Sequence, residues 1–130
     1  MAKHFRELAV WQLGDELRRQ VIAFTAQQPA SDDRKFCNQI RDASDSVTAN
    51  TAEGFSRRND GEFIRFLDIA RGSLAEVQDR LDSALARKYI SRNTHQRLLR
   101  LSDRAVGANV RLTQCLQRCR KRRNRRSPDS

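Results

Sequence analysis

Two glutamates and several small polar residues in the middle of the chain have side chains that could support chemistry. Glu53 follows Asn50, and Glu76 follows Ser73, each at a spacing that places the pair on one turn of a helix. Paired carboxylates are the groups that general acid/base catalysis and metal coordination use. With the neighbouring serine and glycines, the complete set is Ser46, Asn50, Glu53, Gly54, Gly72, Ser73 and Glu76.

A structural role for this set is the alternative to a catalytic one. The two histidines of the chain, His4 and His95, form no Glu-x-x-His pair of the kind that binds a di-iron centre in a helical bundle. No phosphate-binding glycine loop or nucleophile motif occurs. Polar residues at core positions of packed helices set register and partner choice, and glycines permit close approach. We therefore predict a structural motif in a non-enzymatic protein, with no bound metal and no cofactor.

Helical periodicity dominates the elements that must position these residues. Four segments repeat apolar residues at spacings of three and four, and the chain has only two prolines and five glycines. The third segment carries a heptad stripe of Phe63, Leu67, Ala70, Leu74, Val77, Leu81 and Ala84. The fourth carries Leu98, Leu101, Ala105, Ala108, Leu112, Cys115 and Cys119. The pattern predicts an all-α, antiparallel up-down-up-down four-helix bundle.

Capping signals predict where the helices begin and end. The first helix is expected over about residues 5–27, and Ser31 or Asp32 is expected to cap the second. Asn59 and Glu62 form a capping-box pattern for the third helix, and Ser91 or Asn93 is the expected cap of the fourth. Gly72 interrupts the third helix, which indicates close approach of another backbone at that point.

Cysteine usage and hydropathy indicate a cytoplasmic protein. Cys37, Cys115 and Cys119 cannot all pair within one chain, and their spacing is not that of a zinc site. On a helical stripe, free thiols act as small hydrophobic groups, and reduced thiols are typical of the cytosol. No run of eighteen apolar residues and no signal peptide occurs, so we expect no membrane span.

Several segments together carry a family resemblance. They are "FRELAVWQ" at residues 5–12, "QIRDASDSVTANTAEGFSRRNDGEFIRFLDIARGSLAEVQDRL" at 39–81 and "KYIS" at 88–91, with the motifs S-x-x-x-N-x-A-E-G and A-x-G-S-L-x-E. In these the chain resembles the bacterial four-helix bundle proteins, also called the 23S ribosomal RNA intervening-sequence proteins. The resemblance implies an antiparallel bundle, a homo-oligomeric ring of five subunits and no established catalytic residue. Accessory proteins of diversity-generating retroelements, which bind nucleic acid beside a reverse transcriptase, are distantly similar.

Positive charge is the clearest functional signal outside that resemblance. The chain has 26 Lys or Arg against 16 Asp or Glu, a net charge of +10. We divide it into a bundle domain at 1–117 and an arginine-rich tail at 118–130, which either extends helix four or is disordered. Arginines at seven-residue spacing along helix four would form a basic ridge that continues into the tail. The candidate nucleic-acid-binding residues are Arg97, Arg104, Arg111, Arg118, Arg120, Lys121, Arg122, Arg123, Arg125 and Arg126.

These cations favour a partner with many phosphates. Arginine grips phosphate through its planar fork, and no sequence-reading motif is present, so we expect RNA or DNA to be bound through its backbone. An interaction scaffold that engages an acidic protein, such as a polymerase or reverse transcriptase, is the alternative function. On composition alone, a solvated tail or a contact with anionic lipid is also open. Apolar residues off the main stripes predict self-association, namely Leu8, Trp11, Ile22, Phe66 and Ile69.

Overall fold

Four α-helices make up most of the structure. The computed structural model describes residues 2–126, and within that range the helices are α1 (Ala9–Thr25), α2 (Arg34–Ser56), α3 (Asp60–Ala86) and α4 (Arg92–Arg126). Short 3-10 helices occur at Phe5–Glu7 and Ala30–Asp32. No β-strand is found among residues 2–126, so the predicted all-α fold with four helices is confirmed.

The helices pack around an apolar core to which every helix contributes. α2 packs against α3, α3 against α4, and α1 against both α2 and α4. All seven residues of the heptad stripe predicted on α3 are buried, as expected for the face that contacts the other helices. The larger apolar cluster includes Leu17, Ile40 and Leu74, and a smaller one joins Val10, Phe63, Leu67 and Ala108.

The first helix begins later than the sequence predicts, and the second begins near Asp33 as expected but has a different cap. α1 starts at Ala9, because Leu8 adopts an extended conformation (ψ 131°) that separates α1 from the 3-10 turn before it. α2 is capped by Asp33, whose carboxylate accepts the Phe36 N–H at 3.2 Å. The predicted cap at Ser31 or Asp32 is therefore wrong. Those two residues belong to the 3-10 helix Ala30–Asp32, which brings Asp33 into the capping position.

The boundaries of α3 and α4 follow their capping residues. The Asn59 side chain accepts the Glu62 N–H at 3.0 Å, and the Ser91 hydroxyl accepts the Thr94 N–H at 3.1 Å. At the end of α3, Lys88 takes a left-handed conformation with φ 64°. The Tyr89 N–H then donates to the Ala84 carbonyl at 2.8 Å, which is the Schellman arrangement that closes a helix.

Helix α4 departs from its predicted stripe after Leu112. Cys115 is exposed and Cys119 is half-buried, whereas Asn109 and Thr113 are buried. A straight α-helix rotates by about 20° per heptad relative to a seven-residue repeat, so the buried face moves off such a repeat along a long helix. The expectation that Cys115 continues the apolar face is therefore wrong. The helix runs through Arg126, while residues 127–130 of the predicted tail lie outside the described residues.

None of the helices described here is both long enough and apolar enough to cross a lipid bilayer.

Candidate nucleic-acid interface

Three residues of the central polar set link α2 to α3. The Asn50 side-chain amide donates to the Ser46 carbonyl at 2.8 Å and to the Ser46 hydroxyl at 2.9 Å. The Ser73 hydroxyl of α3 donates to the same Ser46 hydroxyl at 2.8 Å. Ser73 is buried, and Ser46 and Asn50 are half-buried, so these hydrogen bonds replace contacts with water and align the two helices. The geometry is that of an interhelical contact.

The two glycines of the set have different surroundings. A methyl group added at Gly54 would lie 2.8 Å from both the Phe63 ring and Phe66 Cβ, so this glycine lets α2 and α3 approach closely. A methyl group added at Gly72 would meet nothing within 4 Å, and Gly72 is exposed. Within one subunit, therefore, no other backbone approaches Gly72 closely, because that residue lies on the outer face of α3.

The two glutamates of the set are exposed and belong to different levels of the helix pair. Glu53 forms an ion pair at 2.8 Å with Arg57 of its own helix. Since Ser73 contacts Ser46 whereas Phe66 lies at Gly54, Glu53 and Glu76 are separated along the helices by roughly 15 Å. They therefore form no carboxylate pair. Within residues 2–126, no group of three or more His, Cys, Asp or Glu side chains is arranged to hold a metal ion.

The C-terminal half of α4 packs on the first turn of α3. Arg123 forms an ion pair with Asp60, which is one of two acids in that turn. The Arg120 guanidinium lies 3.2 Å from the position that a Cβ atom at Gly61 would occupy. Glycine at this position leaves space for the arginine. These contacts hold the last turns of α4 as a helix against the body of the protein.

The resulting surface carries a large uncompensated positive charge. Residues 111–126 contain eight Arg or Lys and no Asp or Glu, and all eight cations are exposed. Within the described part of the chain, Arg123 is the one cation of this stretch that pairs with a carboxylate. Seven cations therefore lack an acidic partner there, and their charges lie along about four helical turns.

Further cations, which the sequence alone did not single out, lie at the same end. Leu8, Phe55 and Leu116 belong to one apolar cluster, so the N-terminal segment, the end of α2 and the end of α4 meet. This brings in Lys3, Arg6, Arg57, Arg58 and Arg65. We call these five residues and the cations of 111–126 the basic end. Their scattered positions in the chain give no signal until the ends of the helices are known to meet.

Two of the predicted contact residues lie away from the basic end. Arg97 is close to the start of α4, where its guanidinium donates to the Gln20 side chain at 3.1 Å. Arg104 lies between the two ends of α4 and is exposed. Arg97 and Arg125 are separated by roughly 42 Å along the helix. The structure thus groups Arg111 and the cations that follow it, and leaves Arg97 and Arg104 apart.

The fold and this surface define an all-α four-helix protein whose excess positive charge is concentrated at one end. The model of the 23S rRNA-intervening sequence protein family matches residues 6–108. The chain therefore belongs to that family, as its motifs indicate. The match ends before Arg111, so the basic stretch of 111–126 lies outside the region that the family shares. A search of curated proteins finds no significant match.

Proposed function

We propose that this protein is a non-enzymatic, cytoplasmic nucleic-acid-binding protein that contacts the phosphate backbone of RNA or DNA through its basic end. The observation that carries the proposal is the row of seven exposed cations in 111–126 without a carboxylate partner among the described residues. Binding of such a row to a polyanion releases condensed counterions, which is a sequence-independent source of affinity. The family description, which refers to inserts of 23S rRNA, is compatible with RNA as the ligand.

The chemistry of the basic end favours backbone contacts over base reading. Residues 111–126 contain no aromatic side chain on which an unpaired base could stack. Of the aromatic residues at the basic end, Phe66 has the guanidinium groups of Arg57 and Arg65 at 5.2 and 5.3 Å from its ring, and Phe5 has that of Arg6 at 4.8 Å. We therefore expect little sequence preference.

The subunit is proposed to be an antiparallel bundle that assembles into a ring of five. Hydrogen bonds join Leu67 to Asn109, Gln78 to Ser102 and Asp82 to His95, so positions that rise along α3 meet positions that fall along α4. Ile22 and Ile69 remain 41% and 45% exposed, which leaves apolar surface for neighbouring subunits. The number five follows from the family resemblance, and native mass spectrometry checks it.

A salt titration of binding tests the function. If the protein contacts six phosphates, the logarithm of the association constant for duplex DNA falls with a slope of about −5 against the logarithm of salt concentration. Truncation after Gln117 should flatten the slope and weaken binding at low salt. Unchanged binding by the truncated chain would exclude the cations of 118–126 as the contact surface.

Matched double variants distinguish an effect of the basic end from an effect of net charge. Arg118→Gln with Arg122→Gln removes two cations of the basic end, and Arg97→Gln with Arg104→Gln removes two cations elsewhere on α4. The first pair of substitutions should reduce the magnitude of the slope of log association constant against log salt concentration by about 2, and the second pair should change that slope much less. Equal effects would refute a localised site. A protein partner retained after nuclease treatment, together with absent nucleic-acid binding, would establish the scaffold function instead.

A further inference from the structure

A polar recess lies at the end of the molecule away from the basic end. It has a volume of about 430 Å³ and is formed where the end of α1 meets the first two turns of α2. Its lining residues are Thr25, Ala26, Ser31, Arg34, Cys37, Asn38 and Arg41. Recesses of about 300–1,000 Å³ are of the size that holds a small ligand.

The recess is rich in hydrogen-bond donors and has no acid in its lining. Arg34, Asn38 and Arg41 follow one another at spacings of four and three, so they share one face of α2. They contribute two guanidinium groups and an amide, and Ser31 adds a hydroxyl. No lining residue is an aspartate or glutamate. The set therefore suits a ligand with several oxygen acceptors and a negative charge.

One of the two arginines is held in place by the protein. The Arg41 Nε–H donates to the Thr25 hydroxyl oxygen at 2.8 Å, while the Thr25 hydroxyl donates to the Val21 carbonyl at 2.7 Å. This chain of hydrogen bonds fixes the guanidinium through one nitrogen. Its two terminal nitrogens have no hydrogen-bond partner in the described part of the chain. They remain available to a bound ligand.

Asp33, which precedes Arg34 in the chain, is engaged by other partners. The Asp33 carboxylate accepts hydrogen bonds from the Phe36 N–H, the Tyr89 hydroxyl and the Arg87 guanidinium. Within residues 2–126, neither Arg34 nor Arg41 forms an ion pair. Neither arginine of the recess is therefore held by a carboxylate in the described part of the chain.

The cysteine in the lining does not make the recess a reactive site. The Cys37 thiol is buried and donates to the Ala30 carbonyl at 3.1 Å. Burial raises its pKa above the ordinary value, so the group stays a thiol at neutral pH rather than a nucleophilic thiolate. The recess therefore offers hydrogen-bond donors but no reactive thiolate.

We propose that this recess is a binding site for a small phosphate-bearing ligand, either inorganic phosphate or the phosphate group of a mononucleotide. Two guanidinium forks and an amide match the oxygen atoms of one phosphate group. The remaining volume accommodates a sugar or base. The site is separate from the basic end and does not depend on nucleic-acid binding there.

Nuclear magnetic resonance titration of the full-length protein tests the site, because it resolves the recess from the basic end. The probes are inorganic phosphate, adenosine monophosphate and adenosine. The Asn38 side-chain amide and the Arg41 Nε–H signals should shift saturably with both phosphate-bearing probes and remain unchanged with adenosine. Tighter binding of the mononucleotide than of phosphate would identify a nucleotide as the ligand, and equal binding would identify phosphate itself.

Two variants that remove the same charge complete the test. Arg34→Gln alters the recess, and Lys35→Gln changes the next residue, which is exposed and outside the lining. We expect Arg34→Gln to weaken phosphate binding about tenfold, as loss of a hydrogen bond to a charged group does, and Lys35→Gln to change it less than about twofold. Equal losses, or saturable shifts confined to residues 111–126, would overturn the proposal.

Discussion

Replacement of Gly54 and Gly72 by alanine should change stability in opposite directions. Both glycines lie inside helices, where alanine is more favourable than glycine by about 1 kcal/mol. At Gly72 the added methyl group meets nothing within 4 Å, so this gain is expected in full. At Gly54 the methyl group would lie 2.8 Å from Phe66 Cβ, which is attached directly to the α3 backbone.

The added methyl group at Gly54 therefore forces the two helices apart. Carbon atoms in favourable contact are about 3.5–4.0 Å apart, so the backbones must separate by roughly 0.7 Å or more. Overpacking of this kind costs about 1–3 kcal/mol, which exceeds the gain in helix propensity. We expect Gly54→Ala to lower the free energy of unfolding by about 1 kcal/mol and Gly72→Ala to raise it by about 1 kcal/mol.

Urea denaturation followed by circular dichroism measures both changes, at one protein concentration because self-association contributes to stability. The two variants should differ by about 2 kcal/mol, or roughly 8 °C in melting temperature. If Gly54→Ala were as stabilising as Gly72→Ala, the close approach of α2 and α3 at Gly54 would be refuted.

Three further predictions concern single residues of the described structure. Ser46→Ala and Ser73→Ala each remove the interhelical hydrogen bond, so each should destabilise the protein by about 1 kcal/mol. The double variant should lose less than the sum of the two single losses in urea denaturation, and additive losses would show that the serines do not interact. Asp33→Asn should destabilise the protein at neutral pH but much less in acid. The hydrogen bond from the Tyr89 hydroxyl, then those from the Phe36 N–H and Arg87, lower the pKa of the Asp33 carboxyl in the folded protein. The ionised carboxylate therefore stabilises the fold fully above the ordinary pKa of about 3.9, and this stabilisation is lost as the pH falls through the lower folded pKa. Urea midpoints at pH 7 and pH 3 check this, and a difference independent of pH would contradict it. Finally, iodoacetamide should label the exposed Cys115 in the native protein and the buried Cys37 only after unfolding. Peptide mass spectrometry identifies the labelled cysteines, and labelling of Cys37 in the native protein would show that its burial is transient.

The periodicity and capping residues of the sequence were sufficient to predict the class of fold. The heptad stripe from Phe63 to Ala84 is buried along its whole length, and Asn59 and Ser91 cap the helices that they precede. These features depend on residues within one or two helical turns of one another. Local spacing therefore carries the information, and no knowledge of other segments is needed.

Burial that depends on the gradual rotation of a long helix, or on which helix packs beside it, was not predictable from local spacing. Cys115 continues the spacing of the apolar residues on α4, yet it is exposed because the helix rotates away from a seven-residue repeat over its length. Gly54 and Gly72 both lie within helices, and each belongs to one of the two sequence motifs of the family. Only the packing of α3 on α2 shows that the first lies at a close contact and the second faces solvent.

The sequence by itself determined that the chain is helical, strongly basic and equipped with an arginine-rich C-terminal segment. The tertiary structure decided that this segment continues α4, docks on α3 through Arg123 and Asp60, and lies beside cations from the N-terminal segment and the turn after α2. It also decided that Arg34 and Arg41 meet Thr25 at a recess in the other half of the molecule. Composition and periodicity are local properties, whereas the meeting of charges from distant segments is set by which helix ends pack together.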